Sequence, residues 1–314
     1  RRFRSSLRKE NNKVKTYEQR NPDSQYQELL KMILAGIETG DSEYVKHPDQ
    51  TQGTYTRKDL PPLVYKFENG FPVITDRKIS FWGAPISELV SFISGVRHAQ
   101  ELTLRGCKWW ERWATPDKCA IFGLEPGDLG HGSYGAAYHD FPMPDGGKFN
   151  QFEHVIKQMK EKPSIRTHVV TSWIPYYTLQ NSELVRKVVV APCHGNFLQF
   201  TITDRGLTLN HVQRSADMPI GAPANIIQYA ALVYMMAQIL GVEPYQYIHY
   251  FPDAQIYENQ IDAVREIVSR EPRRLPTFQI IDKSITRLEE FLPEHFALSD
   301  YHPHPPVSGI PVTE

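Results

Sequence analysis

Ala191-Pro192-Cys193-His194 is the stretch around which the chain is organised, because it places a thiol between a proline and a histidine. It ends the β-branched run at residues 188–190, and Gln213-Arg214-Ser215-Ala216-Asp217 follows at the end of a second extended run. A nearby guanidinium lowers the pKa of a thiol and makes it a stronger nucleophile without a metal. The pattern therefore predicts a reactive cysteine beside an arginine.

The segments next to these motifs predict a strand hairpin and a buried helix. Residues 197–203 and 207–213 flank Asp204-Arg205-Gly206, which is typical of two strands joined by a tight turn, with the cysteine immediately upstream. From Pro223 to about residue 240 the chain is apolar on nearly every side, which predicts a helix inside a large core.

The remaining pattern predicts one domain of α/β (α+β) class, with a mixed β-sheet packed by several helices. Helices are expected at residues 21–40 (N-cap Asn21), 85–95, 152–163 and 261–268, and strands at 63–67, 71–75, 168–173 and 245–250. Residues 1–20 lack apolar periodicity and predict a disordered basic tail before a domain at 21–314. Residues 41–62, rich in charged and turn residues, predict a long loop.

Composition limits the classes of partner. The formal net charge of −1 provides no overall field for nucleic acid or an anionic membrane, so local cations must hold any anionic ligand. The three cysteines, with no CxxC pair, argue against a disulfide framework or a zinc site and favour a reducing, cytoplasmic location. No apolar run approaches the roughly 20 residues that span a bilayer. We therefore expect no metal and no membrane, and nucleic acid is not favoured.

Six motifs resemble those of the folate-dependent thymidylate synthases in order and spacing, from about Tyr26 to the C-terminus. They are the two motifs quoted first and the segments at residues 221–226, 253–257, 270–273 and 301–305. The resemblance implies a thymidylate synthase-like fold, a sheet-to-sheet homodimer, a uracil nucleotide substrate and 5,10-methylenetetrahydrofolate as co-substrate. It implies that Cys193 adds to C6 of dUMP, after which C5 receives the one-carbon unit.

The same resemblance implies roles for individual residues. The catalytic positions are Cys193, Glu88, Tyr134, Arg214 and Asn225. The nucleotide-binding positions are Arg166, Gln213, Arg214, Ser215, Asp217, Asn225, Gln255 and Tyr257. The folate-binding positions are Lys78, Trp110, Trp113 and Asp217. Arg166 would reach the phosphate from the partner subunit.

Two of these positions can also be judged from the residues alone. Periodicity places Glu88 near the edge of the buried face of its helix, where a carboxylate is usually solvated. The amide of Asn225 can donate to O4 of uracil and accept from N3–H, whereas an aspartate would suit cytosine. Asn225 therefore favours a uracil nucleotide.

Several positions depart from the family pattern. Gly40-Asp41-Ser42-Glu43-Tyr44 lacks a phosphate-binding arginine, and Thr167 stands where a second cation would follow Arg166. We hypothesise that Lys46, Arg57 or Lys58 compensates. Gln255 replaces a sugar-contacting histidine, and small residues replace an aromatic ring at two further positions, Ala224 and Ser91.

These departures leave three functions open. The first is methylation of dUMP to dTMP. The second is 5-hydroxymethylation of dUMP or a related pyrimidine nucleotide, which a roomier and wetter site would favour. The third is a non-catalytic nucleotide- or RNA-binding protein, which has no need of a nucleophile and its acid.

Overall fold

The computed structural model describes residues 14–46 and 51–312. The helices are α1 (Gln25–Thr39), α2 (Gly83–Ile93), α3 (Ala99–Leu104), α4 (Pro116–Ile121), α5 (Tyr134–His139), α6 (Gln151–Glu161), α7 (Pro175–Thr178), α8 (Gly221–Leu240) and α9 (Ile261–Val268). The strands are β1 (Glu43–Val45), β2 (Thr54–Arg57), β3 (Leu63–Lys66), β4 (Phe141–Pro142), β5 (Lys148–Phe149), β6 (Val169–Val170), β7 (Phe197–Thr203), β8 (Gly206–Val212), β9 (Ala216–Asp217), β10 (Pro244–Tyr250), β11 (Ala254–Tyr257), β12 (Thr277–Ile280) and β13 (Phe296–Ser299). The predicted mixed α/β single domain is confirmed.

A mixed sheet with the order β3-β10-β8-β7-β6 forms the centre of the fold. β8 and β10 are parallel, whereas the other neighbouring pairs are antiparallel. The predicted hairpin is confirmed as β7 and β8, closed by the pair Thr203 and Gly206. Gly206 has a φ of 126°, and a Cβ there would lie 2.3 Å from the carbonyl of Glu243, so the turn requires glycine.

Helix α8 packs on this sheet and on α2. By length and composition alone it could cross a membrane, and it is thus a longer apolar run than the sequence pattern suggested. However, 72% of its most apolar window is buried inside the protein, as expected for a core helix. Asn225 lies in its second turn, so the core fixes that side chain.

A second sheet, with the order β1-β2-β11-β9, corrects the prediction of a long loop at residues 41–62. Thr54 and Thr56 are buried on one side of β2, and this alternation is hidden in the sequence by the surrounding charged residues. β2 pairs with β11, which carries Gln255 and Tyr257, and β11 pairs with β9, which carries Asp217. The supposed loop thus supports the predicted nucleotide and folate residues.

The prediction of a disordered tail is wrong for its described part. Residues 1–13 lie outside the described residues, but Tyr17–Gln19 form a 3-10 helix and Arg20 is buried. The guanidinium of Arg20 donates to the carbonyl of Leu275 at 2.9 Å and to Oγ1 of Thr277 at 2.7 Å. A long-range contact, which local periodicity does not reveal, anchors this segment.

Other local predictions needed smaller corrections. Asn21 pairs with Asn69 instead of capping α1, which begins at residue 25. Residues 71–75 form no strand. Phe71 is buried there, and its ring stacks on that of Phe278 with the two ring centroids 3.9 Å apart. β3 pairs instead with β10. The strand expected at residues 168–173 is reduced to β6, whereas the helices expected at 85–95, 152–163 and 261–268 are confirmed as α2, α6 and α9.

Replacing Arg20 tests whether the supposed tail belongs to the domain. We expect Arg20→Ala to lower the free energy of unfolding by about 2 kcal/mol, because it leaves buried acceptors at Leu275 and Thr277 unsatisfied. Urea unfolding at pH 7.5 measures this loss. Arg265→Ala is the control, since its ion pair with Asp262 is exposed and should change stability by less than about 1 kcal/mol. Equal effects of the two substitutions would contradict the prediction.

Candidate active site

Cys193 lies in an irregular segment that enters β7, and its side chain is partly exposed. Its backbone N–H donates to the hydroxyl oxygen of Tyr134 at 2.8 Å, and its Sγ lies 3.5 Å from the same oxygen. Tyr134 is the first residue of α5, and its ring is stacked between Phe92 and His194. The structure therefore holds the predicted tyrosine against the predicted nucleophile.

Arg214 is fastened to the chain just before the cysteine. Its Nε donates to the carbonyl of Pro192 at 2.9 Å and its Nη2 to the carbonyl of Ala191 at 3.0 Å. The guanidinium also lies over the ring of Trp173. The side chain remains exposed, so a fixed cation faces solvent beside Cys193.

The thiol is not activated as the sequence pattern suggested. Burial raises the pKa of Cys193, while the hydrogen bond from Tyr134 and the charge of Arg214 lower it by less, and the Glu88 charge raises it further. Arg214 thus lowers the pKa of the thiol as predicted, but not enough to offset burial. Without ligands the thiol form is favoured.

Glu88 is buried in α2 and not at a solvated helix edge. One of its oxygens accepts hydrogen bonds from the indole N–H of Trp109 at 2.5 Å and from that of Trp110. The other accepts from the amide of Gln228, and Cys107 Sγ lies 3.6 Å from the first. Burial raises the pKa of Glu88 despite these hydrogen bonds. A buried carboxyl group with a raised pKa is suited to proton transfer.

Asn225 belongs to a chain of buried side chains that begins at Glu88. Its Nδ2 donates to Oε1 of Gln228 at 2.8 Å, and its Oδ1 accepts from Nε2 of Gln213 at 2.9 Å. Oε1 of Gln213 lies 3.0 Å from Nε2 of His249. Asn225 and Gln213, predicted separately, thus form one network with the predicted acid.

Three buried histidines, one of which is His249 of this network, are kept neutral by burial. Burial lowers the pKa of His194 to about 3 and holds the pKa values of His211 and His249 well below the ordinary value. Nδ1 of His194 lies 2.7 Å from the hydroxyl of Tyr229, and Nε2 of His211 accepts from the N–H of Gly195 at 2.8 Å. These rings fix the backbone directly after Cys193.

Predicted sugar, phosphate and folate residues lie on or beside the second sheet. Nε2 of Gln255 donates to Oγ of Ser215 at 2.9 Å and to Oδ2 of Asp253 at 2.7 Å. Asp217 accepts from the N–H of Ile220 at 3.2 Å and from Gln260 at 3.0 Å. Gln260 also accepts from the N–H of Tyr257 at 3.0 Å and donates to the carbonyl of Pro311 at 2.9 Å.

The remaining predicted residues lie further out. Lys78 and Arg166 are exposed, and Trp113 is half-buried with the ammonium of Lys118 over its ring. The carbonyl of Arg166 accepts from Gln199 on β7, which places Arg166 beside one face of the central sheet. The indole N–H of Trp110 is engaged by Glu88, so only its ring remains available to a folate.

Two substituted positions have local explanations. Ser42, at the position of the family arginine, is buried, and its hydroxyl donates to the carbonyl of Ile33 at 2.9 Å. Ser91 is also buried and donates to the carbonyl of Ser87 at 2.7 Å. Both hydroxyls are thus used by backbone carbonyls.

The three cations that could compensate for the missing arginine differ in how strongly other protein groups engage them. Arg57 is engaged by Asp59 at 2.7 Å and by the carbonyl of Met32 at 3.0 Å. Lys58 pairs with Glu43 at 2.6 Å, but both side chains are exposed. The hydrogen bond to Glu43 raises the pKa of Lys58, and the charge of Asp253 also raises it. Lys46 is exposed.

Sequence reasoning missed Gln228 and the role of Trp109. Gln228 is a fully buried polar residue within an apolar helix, three residues after Asn225. An uncharged polar side chain on the same helix face as a predicted ligand was the available signal. The predicted folate residues include Trp110 but not Trp109, because nothing local reveals that the N–H of Trp109 reaches Glu88.

A cavity of about 730 Å³ is lined by side chains that include Arg105, Phe152, Ile239 and Arg287, none of which belongs to the predicted set. Within residues 14–46 and 51–312, no group of three or more His, Cys, Asp or Glu side chains could hold a metal ion.

A thiol, a buried carboxyl group and a buried amide, brought together beside a mixed sheet, are the groups of an enzyme that uses covalent catalysis. The family model described as thymidylate synthase matches residues 24–312. Since that match covers nearly the whole chain, the protein belongs to the thymidylate synthase family. Membership supports transfer of a one-carbon unit to a uracil nucleotide, with methylenetetrahydrofolate as the co-substrate of the family.

Proposed function

We propose that this protein methylates dUMP to dTMP with 5,10-methylenetetrahydrofolate. The observation that carries the proposal is the network that connects Glu88 to Asn225 next to Cys193, Tyr134 and Arg214. A protein that only binds a nucleotide needs neither the thiol nor the buried acid. Ser91 favours methylation over hydroxymethylation in this proposal, because its side chain is buried and its hydroxyl donates within α2, which leaves water little access to it.

In this reaction Cys193 Sγ adds to C6 of the uracil, and the electron pair of the C5=C6 bond moves toward C5 and O4. Asn225 donates a hydrogen bond to O4, where negative charge develops, and accepts from N3–H. C5 then attacks the methylene carbon of the folate and loses its proton, and the bond from that carbon to the folate nitrogen breaks to leave an exocyclic methylene. A hydride from the resulting tetrahydrofolate reduces this methylene to methyl and gives dihydrofolate, and elimination of the thiolate restores the ring double bond. Glu88 supplies and removes protons on the O4 side, and Tyr134 lies beside Sγ.

The nucleotide phosphate is held by Arg214 and Ser215 and by Arg166 of a second copy. Lys58 is our candidate for the missing cation, because its ammonium feels the charge of Asp253, and Asp253 accepts from Ser215. Its partner Glu43 is exposed and can be exchanged for a phosphate at small cost. Lys58→Ala with an unchanged Kd for dUMP would remove Lys58 from the site.

We infer a homodimer, and the exposed face of the central sheet supports it. Phe197, Val212 and Tyr250 lie side by side across β7, β8 and β10, and Phe197 and Tyr250 are exposed in the single chain. Arg166 lies next to this face. Two copies that pack face to face would cover these rings and bring Arg166 toward the partner's site. Light scattering should give the mass of a dimer, and a monomer would contradict this arrangement.

The pH dependence of folate binding tests Asp217. Burial raises the pKa of Asp217 to about 6, so the carboxyl group is ionised above pH 6 and protonated below it. If the carboxylate accepts an N–H of the pterin, the Kd for methylenetetrahydrofolate should rise about tenfold per pH unit below 6. Calorimetry between pH 7.5 and 5, with dTMP in place of dUMP so that no turnover occurs, measures it.

Substitution separates this effect from a general loss of structure. Asp217→Asn should bind folate weakly at pH 7.5 and show no such pH dependence, whereas Asp262→Asn, at an exposed position of α9, should behave as the unsubstituted protein. An affinity of the unsubstituted protein that stays constant from pH 7.5 to 5 would contradict the role of Asp217.

The products of one reaction test the proposed function itself. The protein is incubated with dUMP and methylenetetrahydrofolate, and both products are identified by mass spectrometry. We expect dTMP with dihydrofolate. If the products are tetrahydrofolate and a 5-hydroxymethyl nucleotide, the protein is a hydroxymethylase and the proposed methylation is wrong. Absence of turnover with intact nucleotide binding would favour a binding protein.

A further inference from the structure

Five buried side chains form a continuous hydrogen-bonded chain with a single direction. It runs from Nε2 of His249 to Gln213, from Gln213 to Asn225, from Asn225 to Gln228 and from Gln228 to Glu88. Each is less than a tenth exposed, and Gln228 and His249 are fully buried. Solvent therefore has little access to these bonds.

The chemistry of the Glu88 end sets the direction. An ionised carboxylate can only accept, so Gln228 must turn its NH₂ group to Glu88 and its oxygen to Asn225. Asn225 must then donate through Nδ2 to Gln228. At the other end the NH₂ group of Gln213 donates to the carbonyl of Ser215 at 3.2 Å as well as to Oδ1 of Asn225, so its oxygen faces Nε2 of His249, which then carries the proton. The two ends impose the same orientation on Asn225.

This orientation matters because an asparagine amide is ambiguous. A freely rotating amide could donate to O4 and accept from N3–H of uracil, or, after a half-turn, accept from N4–H and donate to N3 of cytosine. Asn225 alone therefore does not specify uracil, contrary to the reasoning from the sequence. A half-turn within this chain would direct NH₂ against NH₂ at Gln213 and oxygen against oxygen at Gln228.

We propose that Gln228 is a positioning residue that, together with His249, locks the amide of Asn225 in the orientation that selects uracil over cytosine. The inference rests on the proposed function and deepens it. Gln228 lies three residues after Asn225 on α8 and reaches across to Glu88 on α2. Its side chain is long enough to bridge the acid and the base-reading amide, and it therefore also couples Asn225 to the charge of Glu88.

Gln228→Leu tests the lock, because it keeps the approximate volume of the side chain and removes both hydrogen bonds. We measure Kd values for dUMP and dCMP and the rates of tritium release from C5 of each. The dUMP-to-dCMP preference should fall about tenfold or more, since unmade hydrogen bonds in a polar site are what rejects a wrong ligand. A purely structural role would weaken both nucleotides alike and leave their ratio unchanged.

Two further variants make the test decisive. His249→Phe keeps a ring beside His211 and Phe251 but removes the donor to Gln213, and it should lower the same ratio even if Gln228→Leu folds poorly. Gln238→Leu, on the same helix, removes bonds to the carbonyls of Asp282 and Ile285 away from the site and should leave the ratio unchanged.

The outcomes separate this inference from the proposed function. An unsubstituted protein that prefers dUMP, with the ratio unchanged within twofold in folded Gln228→Leu or His249→Phe, overturns the inference alone. An unsubstituted protein that binds neither nucleotide overturns the proposed function and the inference together. A loss of preference in both variants, with Gln238→Leu unaffected, supports the lock.

Discussion

Cys193→Ala should abolish tritium release from C5 of dUMP, with a fall of about four orders of magnitude or more, the scale on which removal of a catalytic nucleophile acts. The proposed reaction begins with the bond from Sγ to C6, and Tyr134 and Arg214 cannot replace that bond. The Kd for dUMP should change little, because the phosphate and base contacts come from other side chains. Tritium release and calorimetry on the same preparation measure the two effects.

The pH dependence of the unsubstituted protein gives a second view of the same thiol. Since burial raises the pKa of Cys193 in the unliganded protein, the thiolate fraction is small near neutral pH. Where the thiolate fraction limits the rate, kcat/KM should rise up to about tenfold per pH unit below the pKa of the thiol. A rate that does not change between pH 6 and 8.5 would contradict a pKa raised in the free protein.

Cys119→Ala is the matched control. Cys119 is a buried thiol whose sulfur lies near the carbonyl of Asp128 and outside the site. We expect the activity of Cys119→Ala to lie within about twofold of that of the unsubstituted protein, because this substitution removes no transition-state contact. Comparable losses in both variants would mean that the effect at Cys193 reflects folding.

Glu88→Gln should lower kcat by about 10²- to 10⁴-fold, the usual contribution of a general acid or base. The amide cannot exchange a proton with O4 through ordinary acid–base chemistry. It also turns an NH₂ group toward the donor of Gln228 or toward the indoles of Trp109 and Trp110. Steady-state kinetics with dUMP and methylenetetrahydrofolate measure the loss, and KM for dUMP should change much less.

The pH–rate profile distinguishes an acid from a structural carboxylate. Burial raises the pKa of Glu88, so the profile of the unsubstituted protein should contain a limb from this group that is absent in Glu88→Gln. Glu101→Gln, whose exposed carboxylate pairs with Arg105, is the control and should keep both the rate and the limb. If Glu88→Gln retains the rate and the limb, Glu88 is not the acid.

The sequence was sufficient where local pattern and chemistry coincide. The turn at Gly206 and the all-round apolar character of α8 predicted the hairpin and the core helix correctly. It failed where distant segments decide the structure. Arg20 is held by residues near Leu275, and β2, which also pairs with β1, joins the second sheet through the distant strand β11. Neither partner can be inferred from neighbours along the chain.

The same division holds for the site. The sequence by itself determined the family motifs, the thiol at Cys193 and the amide at Asn225. Only the tertiary structure decided that Glu88 is buried and accepts from two indoles, and that Gln228 joins this acid to the amide. It also decided that burial raises the pKa of the thiol by more than Arg214 lowers it. The reason is physical: residue type fixes which groups can donate or accept, whereas desolvation and the direction of a hydrogen bond depend on what the fold places around them.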